Sequence, residues 1–356
     1  NLTNRTNKNL VVNGACLIAQ RGTSSTSSGY QTVDRFNSFQ NGLDEAPTYS
    51  QGDVSSGTTP YTNGFRKTFK ITNGNQTSAG ADDHIVMEYR IEDQDIATSG
   101  WNYTSTTSNI SMSFWVKSSV AQNFYFGFQS DNGSAYRYIM ETGNLSANTW
   151  TKITKTIPGN SNLVFNNDNG LGMYVNWHLF NGTNRTGTRP LNAWAAADNT
   201  TRTPDASSAW YLTDDATFEI TGVQIEVSDH ATDFEHRSFA QELALCQRYY
   251  FRLAEGADHV PICMGAAYTA SSIHFGIAHF PCKMRANPTV DAPTASSYYR
   301  EVANNSTSLA SGVQIEDANS TCCGIRITGG SSITQGSAIY FRLGNASAYV
   351  AFSAEL

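Results

Sequence analysis

The chain has 356 residues, enough for two packed domains and too many for one small core. Hydrophobic residues make up 39%, aromatic ones 12% and charged ones only 15%, a balance that builds folded cores and excludes a disordered chain. The formal net charge is -7 with no run of Lys or Arg, so there is no counterion-release term for a phosphate backbone, and neither nucleic acid nor an anionic membrane surface is an expected partner.

The first residues, NLTNRTNKNL, hold no apolar signal segment and no initiating Met, so residues 1–8 read as a connector from a longer chain. Gly22 to Gly29, GTSSTSSG, reads as a mobile loop. From Asn9 to about Ser228, short alternations recur between turn residues. They are RKTFKIT from Arg66, HIVMEYRIE from His84, NISMSFWVKSS from Asn109, QNFYFGFQS from Gln122, WTKITKTIP from Trp150, LGMYVNWHLF from Leu171 and ATFEITGVQIEV from Ala216. Their period of two predicts a jelly-roll β-sandwich over 9–237. Ser238 then stands three residues before Gln241, the capping-box spacing. Phe239, Leu243, Cys246 and Tyr250 follow as an apolar stripe, which predicts one short linking helix over 238–253. The stripe reads as a face packed on a sheet, with a threefold-axis seam as the alternative. Beyond it HVPICMGAAYT, IHFGIAHFP, SGVQIEDA, CCGIRITG, AIYFRLG and AYVAFSAEL predict a smaller C-terminal β-sandwich over 254–356, strand-like to what reads as a true end. Pro288 in MRANPTV marks an edge strand or a crossing between sheets. The expected fold class is all-β, and no apolar stretch approaches the roughly 20 residues that would cross a bilayer.

Catalytic signatures are absent: there is no nucleophile elbow, zinc-binding helix, phosphate loop or dinucleotide fingerprint. The histidines are scattered, and His274 and His279, five apart along one strand, face opposite ways. The carboxylate pairs Asp82 with Asp83, Asp214 with Asp215 and Glu219 with Glu226 are read as structural, so no enzyme is expected and no catalytic residue is assigned. The six cysteines, without a CxxC, read as buried free thiols. Asn166 to Gly170, NNDNG, reads as a turn because it lacks the downstream Glu of a calcium loop. No cofactor or metal is expected, a structural Ca2+ at that turn being the alternative.

Aromatic residues in polar contexts are the better candidates for binding. Trp101 and Tyr103 stand in TSGWNYTSTT and Trp194 in LNAWAAADNTT. An exposed ring offers a flat apolar platform to the CH face of a pyranose, while nearby Asn, Gln and Asp meet its hydroxyls. The alternative at each position is a loop that folds back and buries the ring. Trp177 joins the candidates because it and His178 face opposite ways in a strand, so only one of them is inside. Trp115, Trp150 and Trp210, within or beside strands, read as core.

Two long stretches carry a resemblance. NLVVNGACLIAQRGTSS followed by GYQTVDRF (Asn9 to Phe36), and FEITGVQIEVSDHATDFEHRSFAQELALCQRYYF (Phe218 to Phe251), together resemble a family of tailed-phage virion proteins, chiefly tail-fibre and head-decorating proteins. In these, similar motifs bracket a jelly roll like that of carbohydrate-binding modules. FPCKMRANPTV and AYVAFSAEL resemble the family's C-terminal module, while Ser228, Phe36 and Cys282 stand where Gly, Trp and Val are usual. The resemblance implies a virion protein assembled in the host cytoplasm, a homotrimer acting as tail fibre or receptor-binding tip. Its partners would be other virion proteins and a host cell-surface glycan. A capsid fibre, knob or decoration protein and a polysaccharide depolymerase are the alternatives. The motifs look structural, and no ligand-binding residue is carried over from them.

Overall fold

The computed structural model describes residues 8–269 and 274–356, so the expected connector lies, except for Lys8, outside the described residues. The chain divides into two units, one comprising the residues up to Glu242 together with Leu356 and one running from Leu243 to Glu355. Both are built of antiparallel sheets. Among the described residues no helix is long and apolar enough to cross a membrane.

In chain order the first unit contains β1 (Ser24–Ser25), β2 (Phe36–Asn41), β3 (Thr48–Asp53), α1 (Thr59–Thr62), β4 (Lys67–Thr72), β5 (His84–Glu92) and α2 (Asp93–Ala97). It continues with β6 (Asn109–Ser118), β7 (Asn123–Ser130), β8 (Tyr136–Asn144), β9 (Thr151–Pro158), β10 (Leu171–Asn181), β11 (Trp194–Ala196) and β12 (Thr217–Glu226). Two six-stranded sheets result, ordered β1-β3-β4-β12-β6-β9 and β11-β8-β7-β10-β5-β2. Most neighbours are not consecutive in the chain, as a jelly roll requires. The period of two puts alternate residues inside: Ile85, Met87, Tyr89 and Ile91 of β5 are each no more than 2% exposed. Rings from the two sheets interlock, Phe114 of β6 lying 5.0 Å from Phe126 of β7 and 5.7 Å from Trp177 of β10. Burying each such ring contributes about 1.5–3 kcal/mol, and the rings share one core with aliphatic side chains such as Ile85, Met112 and Val175. Phe36 is one of its members, packed against Phe69 and Tyr89. The loop expected from Gly22 to Gly29 contains β1, held on β3 through the Gln51 amide to the Thr23 carbonyl at 2.9 Å.

The two stretches that carry the resemblance meet on β12. Asn9 Oδ1 accepts from the Val11 and Ile225 amides at 3.0 Å each, and its Nδ2 donates to the Val223 carbonyl at 3.1 Å. Beside it a Cβ on Gly14 would lie 2.1 Å from the Val223 oxygen, so the close approach requires glycine there. Asn13 bonds Ile18 and the Asp34 carbonyl, closing the same loop. These motif residues knit backbone to backbone.

The helix differs from expectation. The capping box forms, with the Ser238 amide donating to Gln241 Oε1 at 3.0 Å and the Gln241 amide to Ser238 Oγ at 3.3 Å. However, α3 (Phe239–Gln247) ends short of residue 253, because Tyr250 already pairs with Ser353 in β13 (Tyr250–Glu255). Of the expected stripe Cys246 and Tyr250 are buried and Leu243 partly so, while Phe239 is 61% exposed. Glu242 and Tyr249 are buried as well, and the Glu242 carboxylate accepts from the Asn13 amide.

The second unit continues with β14 (Pro261–Ala267), β15 (His274–His279), β16 (Thr289–Asp291), β17 (Tyr299–Ala303), β18 (Ser306–Ala310), β19 (Gly312–Glu316), β20 (Cys322–Thr328), β21 (Ala338–Leu343) and β22 (Tyr349–Ser353). A three-stranded sheet, β13-β22-β16, and a seven-stranded one, β18-β17-β21-β14-β15-β20-β19, share a core that includes Phe352, Ile325 and Phe341. β16, directly after Pro288, is an edge strand. Buried His274 Nδ1 and Glu301 Oε1 meet at 2.6 Å although two strands of the sheet separate β15 from β17, so the sheet is curled. All six cysteines are free, and Cys323 is buried while neighbouring Cys322 is partly exposed.

Candidate functional site

In the first unit the residues of β5 and β10 that alternate with the core positions point away from it and line a groove of about 300 Å³. His84, Val86, Glu88 and Arg90 come from β5, and Tyr174, Asn176 and His178 from β10. Phe39 of β2, Gln129 of β7 and Arg137 of β8 extend the floor, and Asn199 and Arg202 come from the segment after β11. The register orders these residues in rows across the sheet. One row is Phe39, Val86 and His178; the next is Asn37, Glu88 and Asn176; the third is Arg90, Tyr174, Gln129 and Arg137. In the middle row β7 contributes Gly127, where a Cβ would lie 2.1 Å from the Tyr138 oxygen.

The polar groups are organised by one another. Arg90 Nε donates to Glu88 Oε1 at 2.6 Å, and its guanidinium lies 5.6 Å from the Phe39 ring and 5.5 Å from the Tyr174 ring. That contact holds both aromatic faces in place. Arg137 donates to Gln129 Oε1 at 2.6 Å, to Asn199 Oδ1 at 2.7 Å and to the Asp198 carbonyl. Burial, then the neighbouring Arg202 and Arg189, push Arg137 down to about 10, so it remains charged at neutral pH. Burial drives the Glu88 carboxyl up, against the pull of Arg90.

Two imidazoles stay neutral. Burial, reinforced by Arg137, Arg202 and His84, pushes His178 down to about 3. Burial also lowers His84. His178 Nδ1 lies 3.2 Å from the Asn181 amide nitrogen, which leaves its proton on Nε2 as a donor. His84 Nδ1 donates to the Asp82 carbonyl at 3.1 Å, leaving Nε2 as an acceptor. With Asn176 and Gln129 the floor therefore offers donors and acceptors in neutral form, suited to hydroxyl groups.

The candidate aromatics lie elsewhere. Trp101 is 3% exposed, its indole donating to the Ser108 carbonyl at 3.1 Å, and Tyr103 packs with it against Phe165. The loop folds back, which corrects the expectation of an exposed platform at Trp101. Trp177, at 1% exposed, is in the core; its neighbour His178 has the groove side, the reverse of what candidacy for Trp177 required. Trp194 is partly buried, 5.3 Å from the Tyr138 ring and bonded to the Pro158 carbonyl at 2.8 Å. None of the four lines the groove. Trp115 and Trp210 are core, as expected, and Trp150 is partly buried beside Trp115. The signal that finds the groove is the polar half of the alternation, H-x-V-x-E-x-R in HIVMEYRIE and Y-x-N-x-H in LGMYVNWH.

The turn at Asn166 to Gly170 is closed by the Gly170 amide on Asp168 Oδ1 at 2.7 Å, and Asn166 bonds Asp93 and Asn132. Among the described residues no group of three or more His, Cys, Asp or Glu side chains is placed to hold a metal ion.

Fold and groove define an all-β protein whose first sandwich carries a polar groove on one sheet. No family model and no curated protein matches the chain. Among solved structures, the enzymatically active domain of bacteriophage CBA120 tailspike protein 4 is similar over 62% of this chain and 22% of its own, at 11% identity and a TM-score of 0.34. A CBM4 structure is similar over 61% of this chain and 98% of its own, at 12% identity and a TM-score of 0.32. The family 11 carbohydrate-binding module from Clostridium thermocellum, in complex with a mixed-linked tetrasaccharide, is similar over 60% of this chain and 98% of its own, at 14% identity and a TM-score of 0.26.

Proposed function

We propose that the chain binds a glycan in the groove of its first unit, without catalysis. The observation that carries this reading is the combination lining one sheet: two held ring faces, Phe39 and Tyr174, beside neutral imidazoles and amides. Among the described lining residues Glu88 is the one carboxylate, and it is paired with Arg90. The two facing carboxyls that glycoside hydrolysis uses are therefore not supplied by the groove. The test is a glycan array probed with the wild-type chain, Tyr174→Ala and Asn176→Ala. Signal weakened about two- to tenfold by each substitution supports the reading; unchanged signal in both overturns it.

The resemblance of the Asn9–Phe36 and Phe218–Phe251 stretches supports a place on a tailed-phage virion, as a homotrimeric fibre or receptor-binding tip that meets host surface glycan and other virion proteins. Labelling intact virions with an antibody to the chain discriminates: label on the tail agrees, and label on the head favours a capsid knob or decoration protein. Release of reducing ends from host polysaccharide would establish the depolymerase reading.

A further inference from the structure

The chain as a whole is acidic, yet its groove is not. Among the described lining residues Arg90, Arg137 and Arg202 stand against the one carboxylate, Glu88, and both histidines are neutral at physiological pH. A chain with net charge -7 that gathers guanidinium groups in one groove has segregated charge there.

The three arginines are not equivalent. Arg90 is engaged by Glu88, and Arg137 by Gln129, Asn199 and the Asp198 carbonyl. The guanidinium of Arg202 makes no hydrogen bond or ion pair among the described residues, and its Nε is fully buried without an acceptor. Its backbone, however, is firmly held. The Arg202 amide donates to the Arg185 carbonyl at 2.7 Å, and Thr203 next to it is buried, bridges to Thr186 and receives the Asn181 amide at 3.1 Å. Positioned by rigid backbone, partly removed from water and set near Arg137 and Arg185, the Arg202 guanidinium has the longer-range attraction of Glu88 but no ion pair. An incoming anion would supply the missing partner.

We propose that the groove selects acidic glycans, with Arg202 seating the carboxylate of a sugar acid; this rests on the reading of the groove as a glycan site. A planar carboxylate matches the guanidinium fork with two parallel hydrogen bonds. A single negative charge suits the balance of the groove, whereas a phosphate dianion would face repulsion from Glu88, which already interacts with Arg202. The rest of the ligand is then a sugar with free hydroxyls, which the imidazoles, amides and ring faces accommodate.

The experiment uses the full chain on an immobilised panel of acidic polysaccharides: alginate, hyaluronan, polygalacturonate and polysialic acid. Each is paired with its carboxyl-reduced form, and dextran and dextran sulfate are included. The expected result is binding to at least one acidic member, weakened about ten- to a hundredfold by carboxyl reduction and by Arg202→Gln. Arg202→Lys, which keeps the charge and loses the fork, falls between wild type and Arg202→Gln, and matching melting temperatures show that the variants are folded. Preference for sulfate, or equal retention by Arg202→Lys and wild type, overturns the carboxylate. Equal binding to native and reduced members, or to dextran, overturns acid selection while leaving the glycan reading intact. No binding to any member overturns acid selection, and the glycan reading falls separately only if the array signal described above is also absent or unaffected by Tyr174→Ala and Asn176→Ala.

Discussion

His178 shows how neighbours set the chemistry of a single side chain. In the unfolded chain its imidazole titrates near 6.5; in the folded protein burial and the cationic neighbours push it down to about 3. Between these values the unfolded state binds a proton that the native state refuses, so this group's stability is complete above 6.5 and is lost as pH falls toward 3. Buried Glu88, with its pKa raised, acts in the opposite sense, which makes the comparison with a variant necessary. Thermal melts of wild type and His178→Gln from pH 7 to pH 4 are expected to converge as acid is added, wild type losing more. Parallel curves would refute the assignment. The tryptophans supply a second residue-scale test. Trp101→Ala empties a core position and is expected to cost about 3–5 kcal/mol in urea unfolding. Tyr174→Ala, on the groove side, weakens ligand binding with a much smaller loss of stability.

At the scale of elements, the strands were legible because their alternation is local: KTFKIT, HIVMEYRIE and TFEITGVQIE each became a strand in the expected place. β2, β3 and β11 were not. FNSFQN, TYSQGD and WAA lack a sustained apolar period and are strands because a neighbouring strand supplies their hydrogen bonds. The helix shows the same competition at its end. Ser238 and Gln241 started it, but YYFRL, rich in aromatic residues, was captured by β22. Ser238→Ala is expected to lower stability by about 1 kcal/mol through loss of the cap. Asn9→Ala would strand the buried Val11 and Ile225 amides and is expected to cost about 2 kcal/mol or more, read by urea unfolding of the chain. An unchanged midpoint for Asn9→Ala would mean that the clasp on β12 is dispensable.

At the scale of the whole molecule, net charge and local charge point in opposite directions. The chain's -7 favours solubility and does not attract polyanions at long range, while the groove presents its arginines at contact distance. Recognition of a charged sugar is therefore expected to be short-ranged and moderate for one site. If three chains assemble, as the fibre reading holds, avidity on a densely coated surface is expected to exceed affinity for soluble oligosaccharide by about a hundredfold or more. Surface-density titration alongside sedimentation checks this: a monomer with equal affinity in both formats would rule out threefold engagement.

Composition and period-two patterning determined that the chain is all-β, with strands recurring before and after a short capped helix. Those properties are legible because they depend on neighbours in sequence. Alternation also separates Trp177 from His178, but it cannot state which side a second sheet will cover. Tertiary packing decided that: the opposing sheet took Trp177, Met87 and Tyr89 and left His178, Glu88 and Arg90 to form the groove. Only that long-range choice could bury Trp101, depress His178 and leave Arg202 Nε buried without an acceptor, because each depends on charges and surfaces brought together from distant parts of the chain.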